Sequence, residues 1–121
     1  MTRINCVPPE ELSRQHLLAE YRELPRVFKL AEKAFLSGKS LKAPDQYTLG
    51  VGHVKFFYKR LRYCKNRFHA LCGEMIRRKY KPQYADVPEV MLDKDWWQDW
   101  VPDSAAIELN RQRILERKTR A

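Results

Sequence analysis

The sequence predicts an all-α fold, a compact single domain over residues 1–121 with three main helices and an N-terminal segment that reaches the active site. Two long segments carry apolar residues at alternating steps of three and four, the spacing of helices with one buried face. A third helix is predicted after Asp103-Ser104. A chain of this length can bury one real but modest core.

The first predicted helix begins at Pro9-Glu10-Glu11 and ends near Leu36. Its apolar stripe is Leu17, Tyr21, Leu24, Phe28, Ala31 and Phe35. Pro25 lies inside the helix and removes a backbone donor, so we expect a kink near residues 21–24.

Polar residues of this helix fall into two groups at 100° per residue. His16, Glu20 and Glu23 lie on the rim of the stripe, whereas Arg22 and Arg26 lie on the far side. A carboxylate beside outward-facing guanidinium groups suits a reaction on a polyanion. Periodicity alone favours an ordinary amphipathic helix in which Glu23 is a solvated carboxylate paired with Arg26 or Lys33.

The second predicted helix follows a loop at residues 38–48 and a tight turn at Gly50 and Gly52, and ends near Tyr80-Lys81-Pro82. Its apolar stripe is Val54, Phe57, Leu61, Cys64, Phe68, Leu71 and Met75. The other faces carry the densest basic tract of the chain: Lys55, Lys59, Arg60, Arg62, Lys65 and Arg67. We expect this tract to attract phosphates without regard to sequence, although a solvated helix surface explains some of its members.

Residues 83–102 are acidic and contain Trp96, Trp97 and Trp100. We expect these tryptophans to pack onto the small core, and the alternative is that one of them stacks on a base or acts as a wedge. Asp103-Ser104 then caps the third helix, whose inward residues are Ile107, Ile114 and, as a further candidate, Leu115.

The net charge of +9 and the pI near 9.7 indicate a polyanionic partner. Residues 1–81 hold 18 lysines and arginines against 7 acidic residues, whereas residues 82–103 hold 1 against 6. Nucleic acid fits this distribution better than an anionic membrane surface. No apolar run is long enough for a membrane span and no signal peptide is evident, so we expect a cytoplasmic protein.

The cysteine and histidine positions predict no metal site, because CxxC and HExxH spacings are missing. Three cysteines without a secretory signal indicate reduced thiols. The positions of Cys64 and Cys72 on the apolar stripe predict that they are buried in the core.

Three segments carry a family resemblance: MTRIN at the N-terminus, QHLLAEYRELPRVF from Gln15 and LGVGHVKFFYKRL from Leu49. They resemble the phage endonuclease V family, which are pyrimidine-dimer DNA glycosylases with AP-lyase activity. The resemblance implies damaged double-stranded DNA as partner, with cyclobutane pyrimidine dimers as the lesion. It also implies a monomer in a bacterial or phage-infected cell, with no metal or cofactor.

The resemblance further implies that Thr2, exposed by removal of Met1, attacks the sugar through its α-amine. An α-amine has a pKa near 8, so a useful fraction of it is unprotonated at neutral pH and can form a Schiff base. Glu23 is implied as the catalytic carboxylate. The residues implied in DNA binding are Arg3, Gln15, His16, Arg22, Arg26, Arg113 and Arg117.

Three other functions stay open. The scaffold could be a non-catalytic DNA-binding module. It could be an AP lyase or glycosylase for a different lesion, since the chain lacks the aromatic-rich tail of members that recognise dimers. The third is a helical protein-interaction domain that uses the acidic tryptophan segment.

Overall fold

The computed structural model describes residues 3–120, and side chains over residues 3–117. Within that range it contains five α-helices and no strand beyond an isolated bridge between Arg60 and Trp97. The helices are α1 (Arg14–Glu23), α2 (Pro25–Leu36), α3 (His53–Phe56), α4 (Leu61–Arg77) and α5 (Ser104–Arg120). The all-α prediction is confirmed, although two of the three expected helices are each divided in two.

The first helix begins later than predicted. Pro9–Glu11 forms only one 3-10 turn, and Leu12 is extended, with φ −80° and ψ 139°. The Ser13 side chain then accepts a hydrogen bond from the backbone N–H of His16, at 3.2 Å, and starts α1. The serine side chain can accept a hydrogen bond from a free helix N–H, whereas a proline side chain cannot. The α-helix therefore starts after Ser13 and not at Pro9.

The expected kink falls at Leu24, which separates α1 from α2 although its backbone keeps helical dihedral angles, with φ −55° and ψ −42°. Pro25 is the first residue of α2, where its missing N–H costs little. The break makes Glu23 the last residue of α1.

The second predicted helix is also interrupted, between α3 and α4. Gly50 and Gly52 have φ of +74° and +88°, which confirms the tight turn before α3. The segment 57–60 then leaves the helical path, and the Lys59 carbonyl accepts a hydrogen bond from Gln98 N–H, at 3.3 Å. The acidic segment therefore takes a backbone group that a continuous helix would have used itself.

The core forms where the predicted stripes meet. Their buried members include Leu17, Phe28, Leu61 and Phe68, which are all 0% exposed. The helix α1 packs against α4, and no helix in the described part of the chain is long and apolar enough to span a membrane.

The tryptophans pack down, as expected. Trp96 is buried against Phe35 with ring centroids 5.5 Å apart, and Trp97 lies 5.8 Å from Phe28. Trp100 stacks on Tyr47 at 5.5 Å. The acidic segment thus closes the core.

Of the remaining core predictions, those for the cysteines and Ile114 are confirmed and that for Leu115 is wrong. All three cysteines are free and buried, and burial raises the pKa of Cys6 to about 11. In α5, Ile114 is buried as predicted, but Leu115 is 53% exposed, so that candidate was wrong. One step along a helix turns a side chain by about 100°, which takes Leu115 off the inward face.

Candidate active site

The residues Arg3–Val7, here called the N-terminal arm, form neither helix nor strand and are held in the core by side chains. The backbone N–H of Ile4 donates to His53 Nε2 at 2.8 Å, and its carbonyl accepts from the Tyr47 hydroxyl at 3.2 Å. Tyr63 donates to the Asn5 carbonyl at 2.9 Å. Buried chain outside helices and strands needs such partners, because buried backbone groups are costly when unpaired.

His53 is held in one tautomer by these contacts. A backbone N–H can only donate, so Nε2 must be the acceptor and carries no proton. Nδ1 then carries the proton and donates to the Thr48 carbonyl, at 2.7 Å. Burial lowers the pKa of His53, which keeps the neutral ring that the arm requires.

Glu20 is buried under the arm. It was expected on the rim beside Glu23, but it is 1% exposed. Arg67 binds it through two parallel hydrogen bonds of 2.8 and 3.0 Å, and Asn5 Nδ2 donates to Oε1 at 2.7 Å. The rim of α1 faces α4 at this point, a proximity that periodicity within one helix does not reveal.

Arg67 corrects the predicted basic tract. It is 7% exposed and also donates to the Val7 carbonyl at 2.5 Å, so it cannot contact phosphate. Burial by itself lowers the pKa of a guanidinium, but the charge and hydrogen bonds of Glu20 outweigh this and raise the pKa of Arg67. The pair is a structural element of the core.

A cavity of about 280 Å³ opens where the arm passes α1 and α5. Its lining residues are Arg3, Asn5, His16, Ala19, Glu20, Glu23, Ile114 and Arg117. The cavity joins a carboxylate at the end of α1 with guanidinium groups from the arm and from α5. Convergent charged groups in a concave site are typical of a binding or catalytic centre.

The structure brings together part of the predicted site. Arg3, His16, Glu23 and Arg117 line the cavity. Outside it, Gln15, Arg22 and Arg26 are exposed on the surfaces of α1 and α2, and Arg113 is half-buried on α5. Thr2 and Met1 lie outside the described residues.

Positive charge is concentrated around Arg3. Burial lowers the pKa of its guanidinium, and the charges of Arg117 and Arg113 lower it further, while Glu23 opposes them. Its Nη1 atom is buried, and among the described residues no acceptor lies within hydrogen-bonding distance of it. Three arginines so close together favour an anionic ligand.

A family model for pyrimidine dimer DNA glycosylases matches residues 1–87, more than half of the chain. The match includes the arm, Glu20, Glu23 and His53. The chain belongs to the pyrimidine dimer DNA glycosylase family. This confirms the resemblance, and the glycosylase is a DNA repair enzyme of a family that acts on DNA with pyrimidine dimers.

Sequence reasoning missed several residues that build the glycosylase site. Asn5 and His53 stood inside the matched motifs but had no assigned role, and Asn110 had no signal at all. An isolated asparagine in a helix carries no periodic or spacing pattern. Its importance follows only from the fold, which brings it against the arm.

The glycosylase presents no group of three or more His, Cys, Asp or Glu side chains suited to a metal ion among its described residues. The nearest charged groups to the cavity are carboxylates and guanidinium groups. Together they can bind an anionic backbone and exchange a proton at Glu23.

Proposed function

We propose that this glycosylase excises pyrimidine dimers from double-stranded DNA and then cleaves the strand as an AP lyase, with the Thr2 α-amine as nucleophile. The observation that supports this best is the cavity beside the arm. Arg3, the next residue after Thr2, lines the same cavity as Glu23. Thr2 is therefore the sequence neighbour of a residue that lines the cavity.

The proposed glycosylase step forms one bond and breaks another. After Met1 is removed, the neutral amine attacks the sugar C1′. The N-glycosidic bond breaks, and the base leaves with the bonding electrons and gains a proton. The nitrogen loses a proton, the C1′–O4′ bond breaks, and O4′ takes the bonding electrons and a proton, which leaves an iminium ion between C1′ and the Thr2 nitrogen.

In the lyase step, the Glu23 carboxylate removes the C2′ proton. The electrons form a C2′–C3′ double bond, and the C3′–O bond breaks to release the phosphate of the downstream strand. Water then hydrolyses the imine, which frees the amine and leaves an unsaturated aldehyde. A positioned carboxylate typically contributes about 10²- to 10⁴-fold to such a proton transfer.

We assign the DNA contacts to the basic side chains around the cavity. Arg3 and Arg117 line it, and Arg113 is one turn before Arg117 on α5. Arg22 and Arg26 are exposed on α1 and α2. Gln15 and His16, at the start of α1, complete the proposed DNA-binding residues. Guanidinium groups fix the register of the strand by binding phosphates. The domain is proposed to act as a monomer, since one chain carries both the carboxylate and the arginines.

Borohydride trapping tests the mechanism. Duplexes that carry a thymine dimer or an abasic site are incubated with the protein, EDTA and reductant, and mass spectrometry identifies the cross-linked residue. We expect an adduct on the Thr2 amine. Protein that retains Met1 is the matched control and should not trap.

Each outcome decides between candidates. An adduct on a lysine retains the lyase but removes Thr2 as the nucleophile. Trapping only with the abasic duplex indicates an AP lyase or a glycosylase for another lesion. No adduct from protein shown to lack Met1 indicates a non-catalytic DNA-binding module.

A further inference from the structure

Asn110 of α5 is completely buried and makes three hydrogen bonds to the N-terminal arm. Its Oδ1 accepts from the backbone N–H of Cys6 at 2.7 Å and of Val7 at 3.2 Å. Its Nδ2 donates to Asn5 Oδ1 at 2.7 Å. One amide therefore satisfies three buried groups of the arm, 103 to 105 residues away in sequence.

The orientation of this amide is fixed by a chain of directed hydrogen bonds. Arg67 can only donate, so Glu20 accepts from it and from Asn5 Nδ2. The Asn5 oxygen is then left to face Asn110, which must present its Nδ2. A buried network with every member satisfied specifies one arrangement.

The same face of α5 also reaches the cavity. Asn110, Arg113, Ile114 and Arg117 are spaced by three and four residues, so they share one side of the helix. Ile114 and Arg117 line the cavity, and Arg113 lowers the pKa of Arg3 through its charge. Asn110 thus joins the arm to the helix that carries proposed phosphate contacts.

We propose that Asn110 is a positioning residue: it fixes the arm against α5, so that the Thr2 amine and the phosphate contacts keep one distance while the sugar reacts. Asn110 lies outside the matched residues 1–87. The inference rests on the proposed function, because it assumes that the amine of Thr2 reacts.

Two variants and one matched control test the proposal. Asn110→Ala removes all three hydrogen bonds. Asn110→Asp keeps the acceptor but replaces the donor with a second oxygen that faces Asn5 Oδ1. Asp103→Ala, on the same helix, removes the hydrogen bond to Ala106 N–H, at 2.8 Å, and no hydrogen bond to the arm. Circular dichroism and urea denaturation establish that each variant is folded.

The readouts are the single-turnover rate of borohydride trapping and the dissociation constant for an abasic duplex. We expect both Asn110 variants to trap about 10- to 100-fold more slowly at neutral pH, because a misplacement of about 1 Å costs that much. The dissociation constants should stay within about threefold of the wild-type value, since the arginines remain. Asp103→Ala should trap at the wild-type rate.

The Asn110→Asp variant gives a second readout. A protonated carboxyl has one acceptor oxygen and one O–H donor, which reproduces the asparagine amide. The charged groups that act on the neighbouring Cys6 are Glu20, Asp103 and Arg67. At position 110, burial and the two carboxylates favour protonation, whereas Arg67 and the N–H groups of Cys6 and Val7 favour the charged form. Because only the protonated form reproduces the amide, the trapping rate of Asn110→Asp relative to wild type at the same pH should rise as the pH is lowered below neutral, whereas Asn110→Ala should show no recovery.

The proposal is overturned if a folded Asn110 variant traps at the wild-type rate. It is also overturned if affinity falls in parallel with rate, or if Asp103→Ala loses as much rate, since both results indicate general destabilisation. If Asn110→Ala does not fold, the pH recovery of Asn110→Asp decides the matter. Absence of a Thr2 adduct in the wild-type protein is a separate result, which contradicts the proposed function itself.

Discussion

At the scale of single residues, two glutamates one turn apart have opposite environments. Glu20 is enclosed, and its oxygens are occupied by Arg67 and Asn5. Glu23 is half-buried at the end of α1 and lines the cavity. A carboxylate already bound by a guanidinium is poorly suited to exchange protons, so Glu23 is the better candidate of the two for the proposed proton transfer.

Glu23→Gln should retain DNA binding and lose strand scission. The amide keeps the size of the side chain but cannot remove the C2′ proton, so we expect the single-turnover cleavage rate to fall by about 10²- to 10⁴-fold. Gel-based cleavage and fluorescence anisotropy measure the two quantities. Glu89→Gln, an exposed residue outside the cavity, is the control. An unchanged cleavage rate in Glu23→Gln would remove Glu23 from the mechanism.

Because His53 is buried in its neutral form, we expect the free energy of unfolding to decrease at acid pH. Its pKa is lowered in the fold, so below about pH 6.5 the unfolded chain takes a proton that the folded ring refuses. The contribution of the neutral ring is complete above that pH and is lost progressively as pH falls toward the lower, folded pKa.

His53→Gln should flatten this pH dependence. A glutamine oxygen can still accept from Ile4 N–H but does not titrate in this range. Urea midpoints at about pH 7.5 and about pH 5.5 measure the effect. His69→Gln, on the surface beside Asp86, should keep the wild-type dependence. Identical slopes for His53→Gln and wild type would exclude His53 as the source.

At the scale of elements, α1 and α4 are joined by the Glu20–Arg67 pair. Arg67→Met leaves a buried carboxylate without its partner, and we expect it to lower the free energy of unfolding by about 3–5 kcal/mol. Arg62→Met removes the same charge from the exposed side of α4 and should change stability by less than about 0.5 kcal/mol. Urea denaturation measures the free energy of unfolding of both variants. Equal small losses would show that the Glu20–Arg67 pair contributes little to stability.

The start of α5 depends on Asp103, whose Oδ1 accepts from Ala106 N–H. Asp103→Ala should cost about 1 kcal/mol of stability, the usual loss for a helix cap. Asp93 also precedes a helical turn, at Lys94–Trp96, but its side chain makes no cap hydrogen bond. Asp93→Ala should therefore leave stability nearly unchanged. Thermal melts of the two variants measure the difference, and an equal loss of stability in Asp93→Ala and Asp103→Ala would argue against capping by Asp103.

The helices could be predicted from apolar spacing, but only one of their two interruptions could be predicted from the sequence. Pro25 gave a local signal for the break at Leu24. The break at residues 57–60 gave no such signal, because the hydrogen bond from Gln98 N–H to the Lys59 carbonyl comes from the distant acidic segment. The same distinction between local and distant signals holds for the site. Glu23 was predicted from a sequence motif, whereas the roles of Glu20 and Asn110 depend on partners that are distant in the sequence.

At the scale of the whole molecule, some basic side chains are paired with acidic groups of the protein, whereas others surround the cavity. Arg67 is used inside the core, and Lys59 lies 3.8 Å from Asp95 of the acidic segment. The proposed phosphate contacts Arg3, Arg113 and Arg117 remain grouped around the cavity. Net charge alone therefore overstates the charge available to DNA.

DNA affinity should fall steeply with salt. Five arginine contacts to phosphate predict a slope of about −4 to −5 for log K against log salt. Arg22→Gln should reduce the magnitude of that slope by about one. Lys94→Gln, in the acidic segment, should leave it unchanged. Anisotropy titrations at several salt concentrations measure the slopes, and a flat dependence would contradict phosphate binding.

The contact between Asn110 and the arm also bears on the order of events during synthesis. The first residues to leave the ribosome have buried backbone groups whose partners lie in α5, more than 100 residues later. Contacts of such long sequence separation form late, because the intervening chain must first be closed into a loop. The arm can therefore close against α5 only after most of the chain has been synthesised, which would leave time for the removal of Met1 that the proposed function requires.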